Sequence, residues 1–375
     1  EALAERLSSY DEGTAVLTLT VEGNNISEDP TNVHTYTIQF KSESASITPY
    51  TNSLMVFVGG APSAPIEKTI NLINETDGSI SLAIYDFNFN GIPVGDIIIN
   101  NLHIEQNGDQ TIYTGQQTIT VMNMPAQVNV TATVENNEMT AMIPIEVMNG
   151  LMKVDVIFAP ALNIDGQSTV ATEHTGLHNV TLARTFAAGW NTICLPFATT
   201  TSAFGQDVKA QAFTDIKDGE PAFKEVTDME ANKPYLIYFP ETTNKPFYFG
   251  TEINSILPEA VTYGDFTFCG AYEAHTDMNG KYGFVDTGDT KKIVLGHDNT
   301  SLEATQAYFI KEGDQPEEIN LILEGGTTDI QTITNCTKPF DIYNLQGIMI
   351  RHNTHSIHNL PKGIYIINGK KIAVK

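Results

Sequence analysis

A chain of 375 residues with 20 basic and 45 acidic side chains, net charge -25 at neutral pH, is repelled by nucleic-acid phosphates and by anionic membrane surfaces. Its length allows two or three domains with separate cores. No run of 18 apolar residues marks a transmembrane helix, and Cys194, Cys269 and Cys336 lack CxxC or Cys/His spacing, leaving room for one disulfide and no zinc site.

Helix signals are scarce. Val, Ile, Thr, Tyr and Phe recur in short alternating runs broken by Asn, Asp and Gly, the pattern of antiparallel strands. The chain therefore reads as all-β. Residues 1–13 have weak helical character and read as a leader; the chain begins at Glu1 without Met, which is compatible with removal of a secretory signal.

From Thr14 the alternation is clear, with Ala15, Leu17, Leu19 and Val21 on one face. Val128, Val130, Ala132 and Val134 repeat it; Glu135-Asn136-Asn137 turns the chain, and Met139, Ala141, Ile143, Ile145 and Val147 return. Met152, Val154, Val156 and Phe158 close the set. Consecutive hairpins of this kind make an up-and-down meander over residues 14–160, and a meander so long favours closure into a barrel, which removes unpaired edges. The stretch SLAIYDFNFNGIPVGDIIINNLHIE, residues 81–105, holds two strand-like runs about the turn Gly91 to Gly95.

TAVLTLTVEG, FNFNGIPVGDIIINNL, TIYTGQQTITV and TATVENNEMTAMIPIEVMN together resemble the calycin-like, lipocalin-related β-barrel domain of secreted proteins from gut Bacteroidetes. The resemblance implies an eight-stranded barrel, and it transfers a fold more safely than a function. Residues 161–184, with His174 and His178, read as a linker. GWNTICLPF opens a second domain over residues 185–326, with Trp190 and Phe197 as core anchors; it resembles a β-sandwich-like module of surface proteins from the same bacteria, as does Lys233-Pro234-Tyr235-Leu236-Ile237.

Residues 327–375 are a polar linker and a tail. The tail differs in charge: residues 1–160 carry net -15, residues 161–325 net -14, and residues 326–375 net +4. Asn368-Gly369 is a two-residue hairpin signal. YNLQG, LPKGIY and the closing KIAVK resemble the C-terminal sorting domain of Bacteroidetes secretion, in a short form. These resemblances imply a secreted or outer-membrane-surface protein of a Gram-negative bacterium.

No catalytic constellation is visible. GxSxG, P-loop and GxGxxG contexts are absent, so neither a catalytic residue nor a cofactor is assigned. His352, His355 and His358 are three apart, which on a strand alternates faces; EHTGLH is not HExxH; Asp286, Asp289 and Asp298 lack the order of a calcium loop. No metal is expected. Glu225, Asp228, Glu230, Glu317 and Glu318 read as solubilising turns.

The one candidate binding surface is the aromatic row of Tyr85, Phe87 and Phe89, which with Ala83 share one face of an ideal strand. It either lines the barrel lumen and contacts a small hydrophobic ligand, or fills the lumen as core. The expected function is non-catalytic binding. With a filled barrel, adhesion or glycan contact takes its place, and a hydrolase is the third class. Ligand identity and oligomeric state are beyond the sequence.

Overall fold

The computed structural model describes residues 4–11, 14–22, 33–41, 45–89, 92–121, 124–148, 150–170, 174–288, 290–324, 340–354, 357, 360–367 and 370–374, with side chains from residue 45 onward except at 89, 92, 93, 121, 370, 371, 373 and 374. These residues form an all-β protein whose single helical element is the 3-10 turn Thr201–Phe204. Two compact units are present: Glu1–Asn163 with Gly176–Thr181 and Tyr248–Glu252, and Ile164–Thr175, Leu182–Phe247 with Ile253–Lys375.

Strands β1 (Ala4–Asp11), β2 (Thr14–Glu22) and β3 (Val33–Lys41) form an antiparallel sheet. The weak helical pattern over residues 1–13 is thus corrected for Ala4–Asp11, where pairing with β2 overrides a small intrinsic preference. Among the described residues β2 and β3, which the sequence groups with the meander, hydrogen-bond only within this sheet.

The large sheet contains β4 (Ser46–Val58), β5 (Ala61–Pro62), β6 (Ile66–Asn74), β7 (Ile80–Phe89), β8 (Ile92–Ile99), β9 (His103–Asn107), β10 (Gln110–Val121), β11 (Met124–Glu135), β12 (Glu138–Val147) and β13 (Met152–Ala159). Its order is β8-β7-β6-β4-β13-β12-β11-β10-β9, with β5 beside β4. The last strand therefore pairs with the first, Val156 opposite Val56. All these pairings are antiparallel, so β8 and β9 run in the same direction. They are two halves of one bent strand, and counted so the meander has eight strands.

The bend lies at Asn100 to Leu102, where Asn101 takes φ 55°. Asn100 donates its backbone N–H to Gln117 Oε1 at 2.8 Å, and Leu102 donates to the Ile80 carbonyl at 2.8 Å. Beyond the bend the chain leaves the ladder of β7 and joins that of β10. The seam between β8 and β10 is filled by side chains: a Cβ added to Gly115 would lie 2.5 Å from Leu102 and 3.1 Å from Ile99. Only glycine leaves room there.

The alternation read from the sequence is what fills the lumen. Leu54, Val56, Ile70, Leu72, Leu82, Ile84, Val128, Val130, Ile143, Val156 and Phe158 belong to one buried cluster, whereas Glu138, Met142, Pro144 and Glu146 of β12 are exposed on the outside. Strands β14 (Ala161–Ile164) and β15 (Gly176–Leu182), within the stretch read as a linker, pair in a small sheet with Phe247–Ile253. Asn179 donates to the carbonyls of Ser53 and Ile157, each at 3.0 Å, and Gly250 lies against Ile157 and Phe57, where a Cβ would clash. These contacts cover the outer side of the β4/β13 pair.

In the second unit a five-stranded sheet (189–194, 234–239, 209–217, 220–226, 322–323) and a six-stranded sheet (261–263, 266–270, 307–311, 282–286, 291–295, 318–320) contribute to one core. Phe213, Phe223 and Leu236 come from the first; Phe266, Phe268, Tyr282, Ile293 and Phe309 from the second, with Phe268 stacked on Phe309 at 4.3 Å. Phe197 is buried and Trp190 packs at the edge of this core, as expected of anchors. A four-stranded sheet (349–354, 340–344, 363–367, 370–374) ends the chain around Phe340, Ile342, Ile367 and Ile372. The Asn368-Gly369 turn lies outside the described residues, but the flanking strands pair with Ile367 opposite Lys370.

Two substitutions test the seam. Leu102→Ala opens a cavity and is expected to cost about 2–5 kcal/mol; Gly115→Ala overpacks the same spot at about 1–3 kcal/mol. In denaturant titrations the double variant should lose less than the sum of the two, since the added methyl fills the space Leu102 vacates. Strict additivity would mean that the two residues do not share that space.

Candidate functional site

Tyr85 and Phe87 of the aromatic row do not share a face. Leu82 and Ile84 point into the core, and then the register of β7 against β8 shifts between Ile84 and Phe87, with Asp86 at φ 49°. This bulge inserts a residue and reverses the parity at Phe87 and Asn88. Phe87, 4% exposed, enters the buried cluster, while Tyr85, 39% exposed, stands on the outer surface. The side chain of Phe89 lies outside the described residues.

The bulge is held from both sides. Asp96 of β8 accepts the Asp86 backbone N–H at 2.9 Å, and Lys68 of β6 donates through Nζ to the Asp86 carbonyl at 3.1 Å. Tyr85 is thereby fixed beside Thr51, Glu67, Lys68, Thr69 and Asn71, the lining of an open hollow of about 290 Å3 on the outside of β4, β6 and β7. The Thr51 and Thr69 hydroxyls are 2.8 Å apart and opposite one another in the ladder. The hollow thus offers an aromatic ring with a polar tip, two hydroxyls, an amide, a carboxylate and an ammonium. Alternation could have placed the odd-numbered residues of β4 and β6 on one face, but the bulge that brings Tyr85 to them has no signal in a two-residue period.

The remaining candidates are structural. Asp286 accepts the backbone N–H groups of Trp190 at 2.8 Å and Gly288 at 2.7 Å, and pairs with Lys291 at 3.1 Å. Burial pushes its carboxyl up, but these donors more than offset that and hold it below the usual carboxylate range. Gly189, at φ 96°, permits the approach, since a Cβ there would be 2.7 Å from Asp286 Oδ2. Glu230 pairs with Lys233 at 2.5 Å, Glu317 with His297 at 3.2 Å and Glu318 with Lys292 at 2.7 Å. His178 is buried, its Nδ1 3.1 Å from the Gly176 carbonyl, and exposed His352 pairs with Asp341 at 2.8 Å; His355, His358 and Asp289 lie outside the described residues. Among the described residues no three His, Cys, Asp or Glu side chains are grouped to hold a metal.

Cys194 and Cys269 are free thiols, and Cys336 lies outside the described residues. Burial pushes the Cys194 thiol up to about 12, which keeps it unreactive. It donates to the Asn232 carbonyl at 3.2 Å. Asn232, at φ 65°, also receives Tyr272 Oη on its Oδ1 at 2.9 Å and donates Nδ2 to Ser255 at 3.0 Å. Arg184 is likewise buried: Nη1 reaches the Thr305 carbonyl at 2.8 Å, Nη2 the Thr192 carbonyl at 2.7 Å, and the guanidinium lies 4.6 Å from the Phe186 ring centroid. Burial lowers its pKa to about 10, against the raising effect of Glu303, so it stays charged at neutral pH.

With the geometry in place, the class is an all-β protein built on a curled antiparallel meander. Residues 47–160 match the family model of the calycin-like beta-barrel domain. A solved structure from Bacteroides fragilis, of a protein provisionally assigned to the outer membrane, is similar at 13% identity over 42% of this chain and 72% of that one, with a TM-score of 0.25. No curated protein matches the chain.

Asp286 makes stability depend on pH. Because its folded pKa is depressed, its contribution to stability is complete above the unfolded value of about 3.9 and is lost as pH falls through the folded one. Asp286→Asn should lower stability at pH 7 and flatten the acid limb of the stability curve below about pH 4. An unchanged acid limb in thermal melts across that range would remove Asp286 from the account.

Proposed function

We propose that the protein is a non-catalytic binding protein of the cell exterior, secreted or held at the outer surface of a Gram-negative bacterium, and that it contacts glycans through the outer face of its barrel at Tyr85. The observation that carries this reading is the bulge at Tyr85 and Asp86, which takes one aromatic out of a lumen already packed with side chains and fixes it above a polar hollow. A sugar has apolar C–H faces edged with hydroxyls, and a tyrosine ring flanked by hydroxyl, amide and carboxylate groups is complementary to both. A small hydrophobic ligand in the lumen has to displace Leu54, Ile84, Phe87 and Phe158, each buried to 4% exposure or less. The filled core supports the outer face instead.

The paired sheets of the second unit fit the β-sandwich-like module of the resemblance, and the four-stranded end of the chain fits a short sorting-type unit; both stand as parts of this proposal. Binding rather than catalysis is supported by the calycin-like match over residues 47–160.

Glycan-array binding of the full chain tests the reading. The wild type is expected to retain a neutral glycan, and Tyr85→Ala is expected to lose at least tenfold in affinity while its stability stays within about 0.5 kcal/mol, as for an exposed side chain. An array without signal, or equal retention by Tyr85→Ala, would overturn the assignment.

A further inference from the structure

The two ends of the barrel differ in chemistry. Directions alternate around the ring, so the connections β4 to β6, β7 to β8, β10 to β11 and β12 to β13 meet at one rim. Those of β6 to β7, β9 to β10 and β11 to β12 meet at the other. The second rim carries Glu75, Asp77, Asp109, Glu135 and Glu138. The first carries no ionisable residue in any of its connections, Gly59 to Pro65, Asn90-Gly91, Met122-Asn123 and Met148 to Leu151, in a chain of net charge -25.

That uncharged rim is also apolar and exposed. Leu151 is 83% exposed, the highest value among the exposed large hydrophobic residues described, and Met148 and Met152 beside it are exposed too. Among the described residues, three of the ten methionines, Met124, Met148 and Met152, fall on or next to its turns. The hairpin tip is a built one: Met148 at φ 54° and Gly150 at φ 85° shape it, Leu151 donates its N–H to the Met148 carbonyl at 3.4 Å, and Gly59 donates to the Lys153 carbonyl at 2.9 Å, tying two of the four connections together. The nearest charges, Glu146 and Lys153, face each other at 3.8 Å below the tip.

We propose that this rim docks on an electrically neutral lipid surface, with the tip from Met148 to Met152 entering the interface. Removing a charge from water is costly, whereas flexible Met and Leu side chains gain by leaving it, so an end without charges is the end that can enter. The five acidic residues of the opposite rim favour an orientation that keeps them in water, away from lipid phosphates. The inside of the barrel is apolar, and its outer face mixes charged side chains such as Glu138 and Glu146 with apolar ones such as Met142, unlike the continuous apolar band of a membrane-spanning barrel, so contact is confined to the rim.

Flotation of the full chain with phosphatidylcholine vesicles tests this. The wild type is expected to float with the lipid, Leu151→Glu to bind at least tenfold less, and Glu138→Gln, on the other rim, to bind as the wild type does; Tyr85→Ala should also float unchanged, which separates this outcome from that of the glycan site. Leu151→Glu alters an exposed side chain, and an unchanged denaturation midpoint checks its fold. The proposal is overturned if the wild type stays with the protein fraction, if Leu151→Glu floats equally, or if binding requires phosphatidylglycerol. A lipid-free wild-type dimer that Leu151→Glu converts to monomer would assign the rim to a second copy of the chain instead.

Discussion

One strand that serves two ladders holds the first unit together. β8 pairs with β7 and β9 pairs with β10, and among the described residues the chain passes from one ladder to the other at the turn of direction from Asn100 to Leu102. Backbone groups at the bend find partners in Gln117 and Ile80, and the missing side chain of Gly115 lets Leu102 and Ile99 complete the core where the ladder is interrupted. Unpaired strand edges invite association with other chains. Here the apolar seam and the bend replace what full hydrogen bonding would otherwise do.

A filled interior has a functional consequence. Ligand-holding barrels keep space inside, whereas this lumen is occupied by Leu, Ile, Val and Phe side chains in mutual contact. The parts left available for recognition are the outer faces and the rims. The Tyr85 hollow and the uncharged rim both exist because the core is complete without them: Tyr85 is put outside by the bulge, and Leu151 projects past the last core layer at Val147.

The second unit relies on polar groups at buried and half-buried positions, alongside a register shift between Phe213 and Asp215. Asn232, Arg184 and Asp286 each join segments distant in sequence through backbone carbonyls or N–H groups. A buried polar group costs free energy unless its partners are in place, so such a set defines one arrangement of the loops. The left-handed conformation of Asn232 and the glycine at position 189 belong to the same requirement.

Two-residue alternation by itself determined the all-β class, the hairpins from Val128 to Phe158 and which of their side chains form the core, because a strand's period is local. Motif resemblance added the calycin-like meander. Tertiary structure alone decided the rest. The helical look of Ala4–Asp11 gave way to pairing, and inside a stretch without strand signals β15 pairs with Phe247–Ile253 on one side and with β14 on the other. In the stretch from residue 81 to 105 the sequence placed both strands, yet an ideal alternation put Tyr85 and Phe87 on one face. A single inserted residue, clamped by Asp96 and Lys68 from neighbouring strands, put them on opposite faces. Bulges, bends and hollows are set by partners across a ladder, and a linear pattern carries no record of which residues those partners are.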